Sequence, residues 1–362
     1  MSDTTFKGWA GAKVEDPTTH LTLKEFTPKS FDPTDVDVAV RYCGICYTDI
    51  GSYQGEFGGI VEDRVCGHEV IGAVTRVGSD VKHLHVGDIV GIGAQTDSCG
   101  ECEWCKSGQE NLCSNNALTF AGQYIKGPSK GTPVYGGFAN YWRGPAHFAV
   151  RVPDSLDPAS SAPLLCGGVT VYAPLKRYGA GPGKKVGIIG IGGLGHMGIL
   201  IAKAMGAEVT VLSRGQSKKD DALALGATHY IGTGEDLAAD FKGHENSLDV
   251  IICTINPATL PIDQYISLLR PRGTIVLVGI VPAPLSLNTL PLIFKSVAVA
   301  GSVIGSPAQI AELFELIAAH PEAAPWVNKY RFEDMNKAMT DFNAGKAKYR
   351  LVVVNEENGG KL

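Results

Sequence analysis

The segment Gly190-Ile191-Gly192-Gly193-Leu194-Gly195 constrains the fold of this chain more than any other feature. It has the pattern G-x-G-x-x-G, follows an apolar strand-like segment from Lys185 to Ile189 and precedes a helical pattern that begins at His196. In this setting the glycines permit a tight turn and bring backbone N–H groups close to a pyrophosphate at a helix N-terminus. The segment therefore predicts a dinucleotide-binding site, and a glycine-rich loop without a ligand is the alternative.

The second half of the chain continues to alternate strands with helices, as a parallel α/β sheet requires. Further strand-like segments are Glu208 to Leu212, Leu248 to Thr254 and Thr274 to Gly279, and helical patterns cover Ser217 to Leu225 and Asp263 to Leu269. This order is that of a doubly wound, Rossmann-type sheet, so we assign residues 156–304 to a nucleotide-binding domain.

The first half of the chain is predicted to be mainly β, with short strand-like segments at Val36 to Tyr42 and Val70 to Val77 and a turn that runs into a strand at Val86 to Val90. Helical patterns return after residue 305, and the strand-like end from Tyr349 to Val354 is assigned to the same domain as the first half. That domain then comprises residues 1–155 and 305–362. The polar end from Asn355 to Leu362 is expected to be a frayed terminus.

The residues after Leu212 indicate which dinucleotide is bound. An NAD site places Asp or Glu near the end of this strand to hold the ribose 2′-hydroxyl, but no carboxylate stands there. The chain has a hydroxyl at Ser213, a planar cation at Arg214 and a point charge at Lys218, which suit a 2′-phosphate. The sequence therefore predicts NADP(H), and a solvated basic turn is the alternative.

Four of the nine cysteines form a cluster with metal-ligand spacing. Cys99, Cys102, Cys105 and Cys113 follow C-x2-C-x2-C-x7-C within a loop rich in Gly, Ser and Asn. A tetrahedral structural zinc needs four thiolates that a short loop can bring together, and it leaves no coordination position open. An iron–sulfur cluster and four incidental thiols are the alternatives.

A second metal site is predicted from Cys46, His68 and Cys166. Two thiolates and one imidazole, with the fourth position open, are a ligand set of catalytic zinc sites. Asp49 could orient His68 through a hydrogen bond, or it could cap a turn. Buried core residues are the alternative explanation for the cysteines and the histidine.

Charge and hydropathy exclude several classes of partner. The net charge is −5 and no basic block exceeds a pair of residues, so we expect no nucleic-acid partner. The apolar stretch from Val186 to Met205 contains six glycines together with His196 and Lys203, so we expect no membrane span there. The N-terminus does not have the pattern of a secretory signal, which predicts a cytoplasmic protein with reduced thiols.

With these residues identified, the chain resembles the zinc-containing medium-chain alcohol dehydrogenases, and among them the NADP-dependent cinnamyl alcohol dehydrogenase group, including its fungal members. The resemblance covers nearly the whole chain. It is carried by GHE at 67–69, the four-cysteine loop, LLCGG at 164–168, GIGGLGHMG at 190–198, SRGQSK at 213–218 and KYR at 348–350.

The resemblance implies an α/β protein with a GroES-like, mainly β catalytic domain built from both chain ends and a Rossmann domain between them. It implies a homodimer formed through the Rossmann sheets, with a strand at Val297 to Ile304 near the cofactor and the interface. It also implies two zinc ions per chain, a catalytic one on Cys46, His68 and Cys166 and a structural one on the four-cysteine loop.

The same resemblance assigns further residues. Glu69 would stand beside the catalytic zinc as an alternate ligand, and Thr48 would pass the proton of the alcohol and touch the cofactor. Residues that would line the cofactor are Thr170, Thr254, Gly279, Ser302, Val303 and Ile304. Arg350 would contact the pyrophosphate, and a surface arginine is the alternative.

The chain departs from the family pattern at two positions. Many members carry a histidine three residues after the relay threonine, where this chain has Gly51. Ser52 or water could take its place, and we expect slower alcohol oxidation near neutral pH as a consequence. Phe120 stands in a loop where relatives often place a tryptophan, which would open the substrate pocket.

These observations predict reversible reduction of an aromatic or medium-chain aldehyde to a primary alcohol by NADPH. One alternative is the same metal and cofactor acting on a conjugated alkene or an iminium ion. The other is a protein that binds zinc and NADPH without turnover.

Overall fold

The computed structural model describes residues 5–11, 20–56 and 62–362, and it divides the chain into two compact units. The first unit comprises Met1–Cys166, Gly305–Ala318 and Pro325–Leu362, and the second comprises Gly167–Ile304 and Ala319–Ala324. Residues 156–166, which the sequence pattern placed in the nucleotide-binding domain, lie in the first unit, because the short helix within them packs on strands of that unit.

The N-terminal part of the first unit contains β1 (Phe6–Ala10), β2 (Thr22–Phe26), β3 (Asp35–Ile45), α1 (Tyr47–Gln54), β4 (Val70–Val77), β5 (Ile89–Ile92), β6 (Gln95–Ser98), α2 (Glu103–Lys106), β7 (Asn116–Leu118), β8 (Tyr141–Pro145), β9 (Ala149–Arg151) and α3 (Pro158–Ser161). The second unit contains α4 (Gly167–Arg177), β10 (Lys185–Ile189), α5 (Gly193–Ala204), β11 (Glu208–Arg214), α6 (Lys219–Ala224), β12 (His229–Thr233), α7 (Leu237–Asp240), β13 (Leu248–Cys253), α8 (Ile262–Ser267), β14 (Leu269–Leu277), α9 (Thr289–Lys295) and β15 (Ala298–Gly301).

The chain then continues through α10 (Pro307–Ala319), β16 (Val327–Arg331), α11 (Met335–Asn343) and β17 (Arg350–Val354). Within the described ranges, no helix has both the length and the apolar character needed to cross a bilayer.

The main sheet of the first unit is built around β3. Its strand order is β16-β17-β3-β4-β5-β9, and β8 also pairs with β3. Val36, Val38 and Val40 of β3 are at most 2% exposed, as expected for β-branched residues inside a sheet. Because β3 and β4 are antiparallel, the end of β3 lies beside the start of β4, and Cys43 pairs with Val70. The segments that follow β3 and precede β4 therefore meet at one end of the sheet.

The second unit has a six-stranded parallel sheet in the order β12-β11-β10-β13-β14-β15. This is the doubly wound order, and it confirms the predicted Rossmann-type fold. The carboxyl ends of these strands meet at one edge of the sheet. β12 was not predicted because its five residues are a half-exposed edge strand that gives little apolar signal.

The C-terminal segment 355–362 is docked on β3, and the prediction of a frayed end is therefore wrong. The Asn358 side-chain amide donates hydrogen bonds to the carbonyls of Val40 and Asn140, at 3.1 and 2.5 Å. Arg41 Nε donates to the Asn358 carbonyl at 3.0 Å. The polar composition was misleading because these groups bind protein backbone in place of water.

Replacing Asn358 with Ala removes two hydrogen bonds to backbone carbonyls, although the Asn140 carbonyl keeps the Val40 N–H at 3.0 Å, so we expect the free energy of unfolding to fall by about 1–3 kcal/mol. Urea denaturation of the purified chain measures this change. Glu357→Ala, at an exposed neighbouring position, is the control and should change the free energy by less than about 0.5 kcal/mol. Equal stability of the two variants would contradict the docked end.

Candidate active site

Four side chains of the first unit bring metal-ligating atoms to one point. The ligand atoms of Cys46, His68, Glu69 and Cys166 all lie within 4.8 Å of one another. Cys46 directly follows β3, and His68 and Glu69 directly precede β4, so the antiparallel pairing of the two strands brings them together. Cys166 approaches from the turn that follows α3. All of these residues are buried except Cys46, which is half-buried.

Asp49, in the first turn of α1, fixes the two segments that carry these ligands. One carboxylate oxygen accepts the Cys46 backbone N–H at 3.0 Å. The other accepts the Gly67 backbone N–H at 2.8 Å and lies 2.8 Å from His68 Nδ1. Because an ionised carboxylate only accepts hydrogen bonds, Nδ1 carries the proton and Nε2 presents its lone pair.

The donor set suits a zinc ion. His68 Nε2 is buried and has no hydrogen-bond partner among the described residues, as expected of a metal ligand whose other ring nitrogen is held by a carboxylate. A hydrogen bond with Cys166 lowers the pKa of Cys46 well below its ordinary value, although burial opposes this shift. The lowered pKa favours a thiolate on Cys46, and two sulfur ligands with one imidazole would leave the fourth zinc position open.

Glu69 is paired with Arg350, the first residue of β17, and both side chains are almost fully buried. Burial raises the pKa of Glu69 to about 7, although the nearby Arg350 guanidinium opposes this shift. Glu69 Oε2 has no hydrogen-bond partner in the described part of the chain. Arg350 is 3% exposed, so the alternative of a surface arginine is wrong. No local sequence pattern predicts this pair, whose members are 281 residues apart.

Thr48 and Phe120 of the first unit stand close to the cluster, and Ser52 contacts the Phe120 backbone. Thr48 is half-buried, with its hydroxyl 3.8 Å from Cys46 Sγ. The Phe120 ring lies 5.1 Å from the His68 ring between centroids. Ser52 is fully buried, donates to the Phe120 carbonyl at 3.2 Å and accepts from Arg64 at 2.8 Å. The suggestion that Ser52 replaces the missing relay histidine is therefore wrong, because its hydroxyl is already engaged.

The four cysteines between β6 and β7 converge as a second cluster. Cys99 Sγ lies 3.5 Å from Cys113 Sγ and 3.8 Å from Cys105 Sγ, and Cys102 Sγ lies 3.5 Å from Cys105 Sγ. A zinc tetrahedron with Zn–S bonds of about 2.3 Å has S–S edges of about 3.8 Å, so the spacing fits. Backbone N–H groups of Glu101 and Cys102 lower the pKa of Cys99 to about 6, which favours a thiolate.

In the second unit, the glycine segment forms the turn between β10 and α5. Gly190 has a φ of 90°, a conformation that favours glycine. A Cβ atom on Gly195 would lie 2.0 Å from the Gly190 carbonyl oxygen, so glycine is needed for the turn to close. A Cβ atom on Gly192 would face open space, and α5 begins at the next residue, Gly193. The backbone N–H groups of this helix start are therefore accessible to a phosphate.

The predicted phosphate-binding residues lie at the same edge of the sheet. Ser213 and Arg214 end β11, the strand beside β10, and Lys218 precedes α6. Lys218 Nζ donates to the Ile191 carbonyl at 2.7 Å, which ties this loop to the glycine turn. Thr254 follows β13, and its hydroxyl donates to the Ile189 carbonyl at 2.7 Å.

The remaining predicted cofactor residues of this unit lie beyond the carboxyl ends of its strands or in its first helix, α4. Gly279 comes after β14, and Ser302, Val303 and Ile304 come after β15, so all of them lie beyond carboxyl ends of parallel strands. Thr170 is in α4 and is buried. Thr48 and Arg350 belong to the first unit.

Comparisons with known proteins agree with both units. The family described as "Alcohol dehydrogenase GroES-like domain" matches residues 32–154, and "Zinc-binding dehydrogenase" matches residues 193–319. The chain is 40% identical to "Probable formaldehyde dehydrogenase AdhA" of Bacillus subtilis over 89% of this chain and 90% of that protein. It is 37% identical to "NADP-dependent alcohol dehydrogenase C 1" of Mycolicibacterium smegmatis, over 96% and 97%. A solved cinnamyl alcohol dehydrogenase from Sorghum bicolor superposes with a TM-score of 0.89 at 36% identity, covering 99% of each chain.

Proposed function

Because this chain belongs to the zinc-containing medium-chain alcohol dehydrogenases, in their cinnamyl alcohol dehydrogenase group, we propose that it reduces aromatic or medium-chain aldehydes with NADPH. The reaction is reversible, with a primary alcohol as the product of reduction. The observation that carries the proposal is the buried convergence of Cys46, His68 and Cys166, with His68 Nε2 free to bind a metal.

The bound zinc would polarise the carbonyl oxygen of the substrate, and the bound NADPH would supply the hydride. Cys46, His68 and Cys166 would hold the metal, and Asp49 keeps His68 in the tautomer that binds it. Thr48, whose hydroxyl stands 3.8 Å from Cys46 Sγ, would pass the proton. Gly51 offers no side chain and Ser52 is engaged, so the proton would continue to water.

We assign a second zinc ion to Cys99, Cys102, Cys105 and Cys113. Four thiolates complete a tetrahedron, so this metal would hold the loop between β6 and β7 and would not touch the substrate. The two sites are thus expected to respond differently to the loss of one ligand.

We expect two zinc ions per purified chain by elemental analysis. Cys46→Ser should lose one of them and about a thousandfold in kcat, because zinc supplies several kcal/mol of transition-state stabilisation. Cys105→Ser, the matched control, should also lose one zinc, with a lower Tm but a much smaller effect on kcat. Full turnover in Cys46→Ser, or one zinc per wild-type chain, would contradict this assignment.

The cofactor preference is assigned to Ser213, Arg214 and Lys218. Arg214→Ala should raise the KM for NADPH by about ten- to a hundredfold, because it removes a charge-assisted hydrogen bond worth about 1.5–3 kcal/mol. The KM for NADH should stay unchanged. Lys218→Ala should affect both cofactors, because Lys218 also binds the Ile191 carbonyl of the glycine turn.

Initial rates across a range of NADPH and NADH concentrations measure these effects, and Lys219→Ala at the neighbouring lysine is the control. An equal change in both KM values for Arg214→Ala would show that this residue does not read the 2′-phosphate.

We further propose that two copies of the chain pair through the edge of the second unit. β15 is an edge strand, and α9 beside it in sequence has no fully buried residue. Ile293 and Phe294 of this helix are 68% and 83% exposed, and Ile280 is 73% exposed. Apolar side chains in such numbers mark an interface, and pairing of two edge strands would cover them.

Phe294→Asp should convert the wild-type dimer into a monomer, since it places a charge in the apolar contact. Light scattering after gel filtration gives the mass directly. Val86→Asp changes a similarly exposed residue of the first unit and should remain a dimer. A monomeric wild-type chain, or a dimeric Phe294→Asp variant, would contradict the proposed interface.

A further inference from the structure

We propose that Gly44 is a positioning residue: by having no side chain, it keeps the Glu69 carboxylate paired with Arg350 and away from the metal. This inference rests on the proposed zinc site. A Cβ atom built on Gly44 would lie 1.9 Å from Glu69 Oε2 and 3.0 Å from both the Cβ and the carboxyl carbon of Glu69. The space that the side chain of residue 44 would fill is therefore the space that the carboxylate uses.

The backbone does not explain why residue 44 is a glycine. Gly44 lies within β3, opposite Val352 of β17, and its N–H donates to the Glu69 carbonyl at 3.0 Å. It is not among the described residues with a positive φ, so an alanine could adopt the same conformation. What the glycine provides is room beside Glu69.

The carboxylate of Glu69 has two possible partners. Oε1 is bound to Arg350, whereas Oε2 is buried against Gly44 without a donor among the described residues. The carboxylate also lies within 4.8 Å of the ligand atoms of Cys46, His68 and Cys166. A buried carboxylate that loses its position beside Arg350 needs another cation, and a metal held by these three ligands would supply one.

The residue type at position 44 would decide whether the fourth position of the metal stays open. With glycine at position 44, the metal has three protein ligands, and the fourth position is left for the substrate. With a side chain there, the displaced carboxylate would become a fourth protein ligand and close the site. Glycine at this position would therefore keep the site open.

The test compares Gly44→Ala, Glu69→Ala and the Gly44→Ala/Glu69→Ala double variant after cobalt(II) has replaced zinc. The visible absorption bands of cobalt report its ligands, and the four-cysteine cluster gives a constant background. We expect altered bands and at least a tenfold lower kcat in Gly44→Ala, with little change in the KM for NADPH. The double variant should have the bands of Glu69→Ala. Gly8→Ala, a strand glycine whose Cβ would meet Val65, should match the wild type.

Wild-type bands in Gly44→Ala would overturn the inference. So would altered bands that persist in the double variant, because the cause would then be the strand and not Glu69. If Gly44→Ala fails to fold, folding of the double variant supports the steric conflict with Glu69, and failure of both overturns it. A wild-type chain that binds cobalt only at the four-cysteine cluster would overturn the proposed function as well.

Discussion

The active-site cluster depends on the hydrogen bonds of one buried carboxylate, that of Asp49. It accepts the backbone N–H groups of Cys46 and Gly67 and holds His68 Nδ1, so it joins the segment after β3 to the segment before β4. Sheet pairing brings these segments near each other, but it does not orient an imidazole. Asp49 does so, and its charge is offset inside the protein by the three groups that it binds.

The pairing of opposite charges explains how the other buried groups of the cluster are accommodated. The thiolates of Cys46 and Cys166 together would neutralise a zinc dication, and the carboxylate of Glu69 is neutralised by Arg350. Buried charges are tolerated only when they are compensated; the metal would pair with the two thiolates, and Arg350 pairs with Glu69. With this separation the metal site would be formally neutral with three protein ligands, so a carbonyl oxygen could bind without opposition from a nearby anion.

Local patterns predicted the features that a single segment encodes. The glycine turn, the strand before it and the absence of an acidic residue after β11 could all be predicted from the sequence. A turn motif, the spacing of apolar residues and the residues at a strand end are properties of one short segment. The residues that converge as candidate metal ligands were predicted from their residue types and the family resemblance. The pair of Glu69 and Arg350, the engagement of Ser52 with Phe120 and the docking of Asn358 were not found, because each joins residues distant in sequence through contacts that only the folded chain creates.

The initial rate of NADPH oxidation with cinnamaldehyde tests the proposed activity most directly, provided that the product is identified and NADH is measured in parallel. Cinnamaldehyde contains both a carbonyl and a conjugated alkene, so the product shows which of the two is reduced. We expect cinnamyl alcohol, formed faster with NADPH than with NADH, with a rate that is lost on removal of zinc and restored by its return. Reduction of the alkene, or a rate independent of zinc, would contradict the proposed activity.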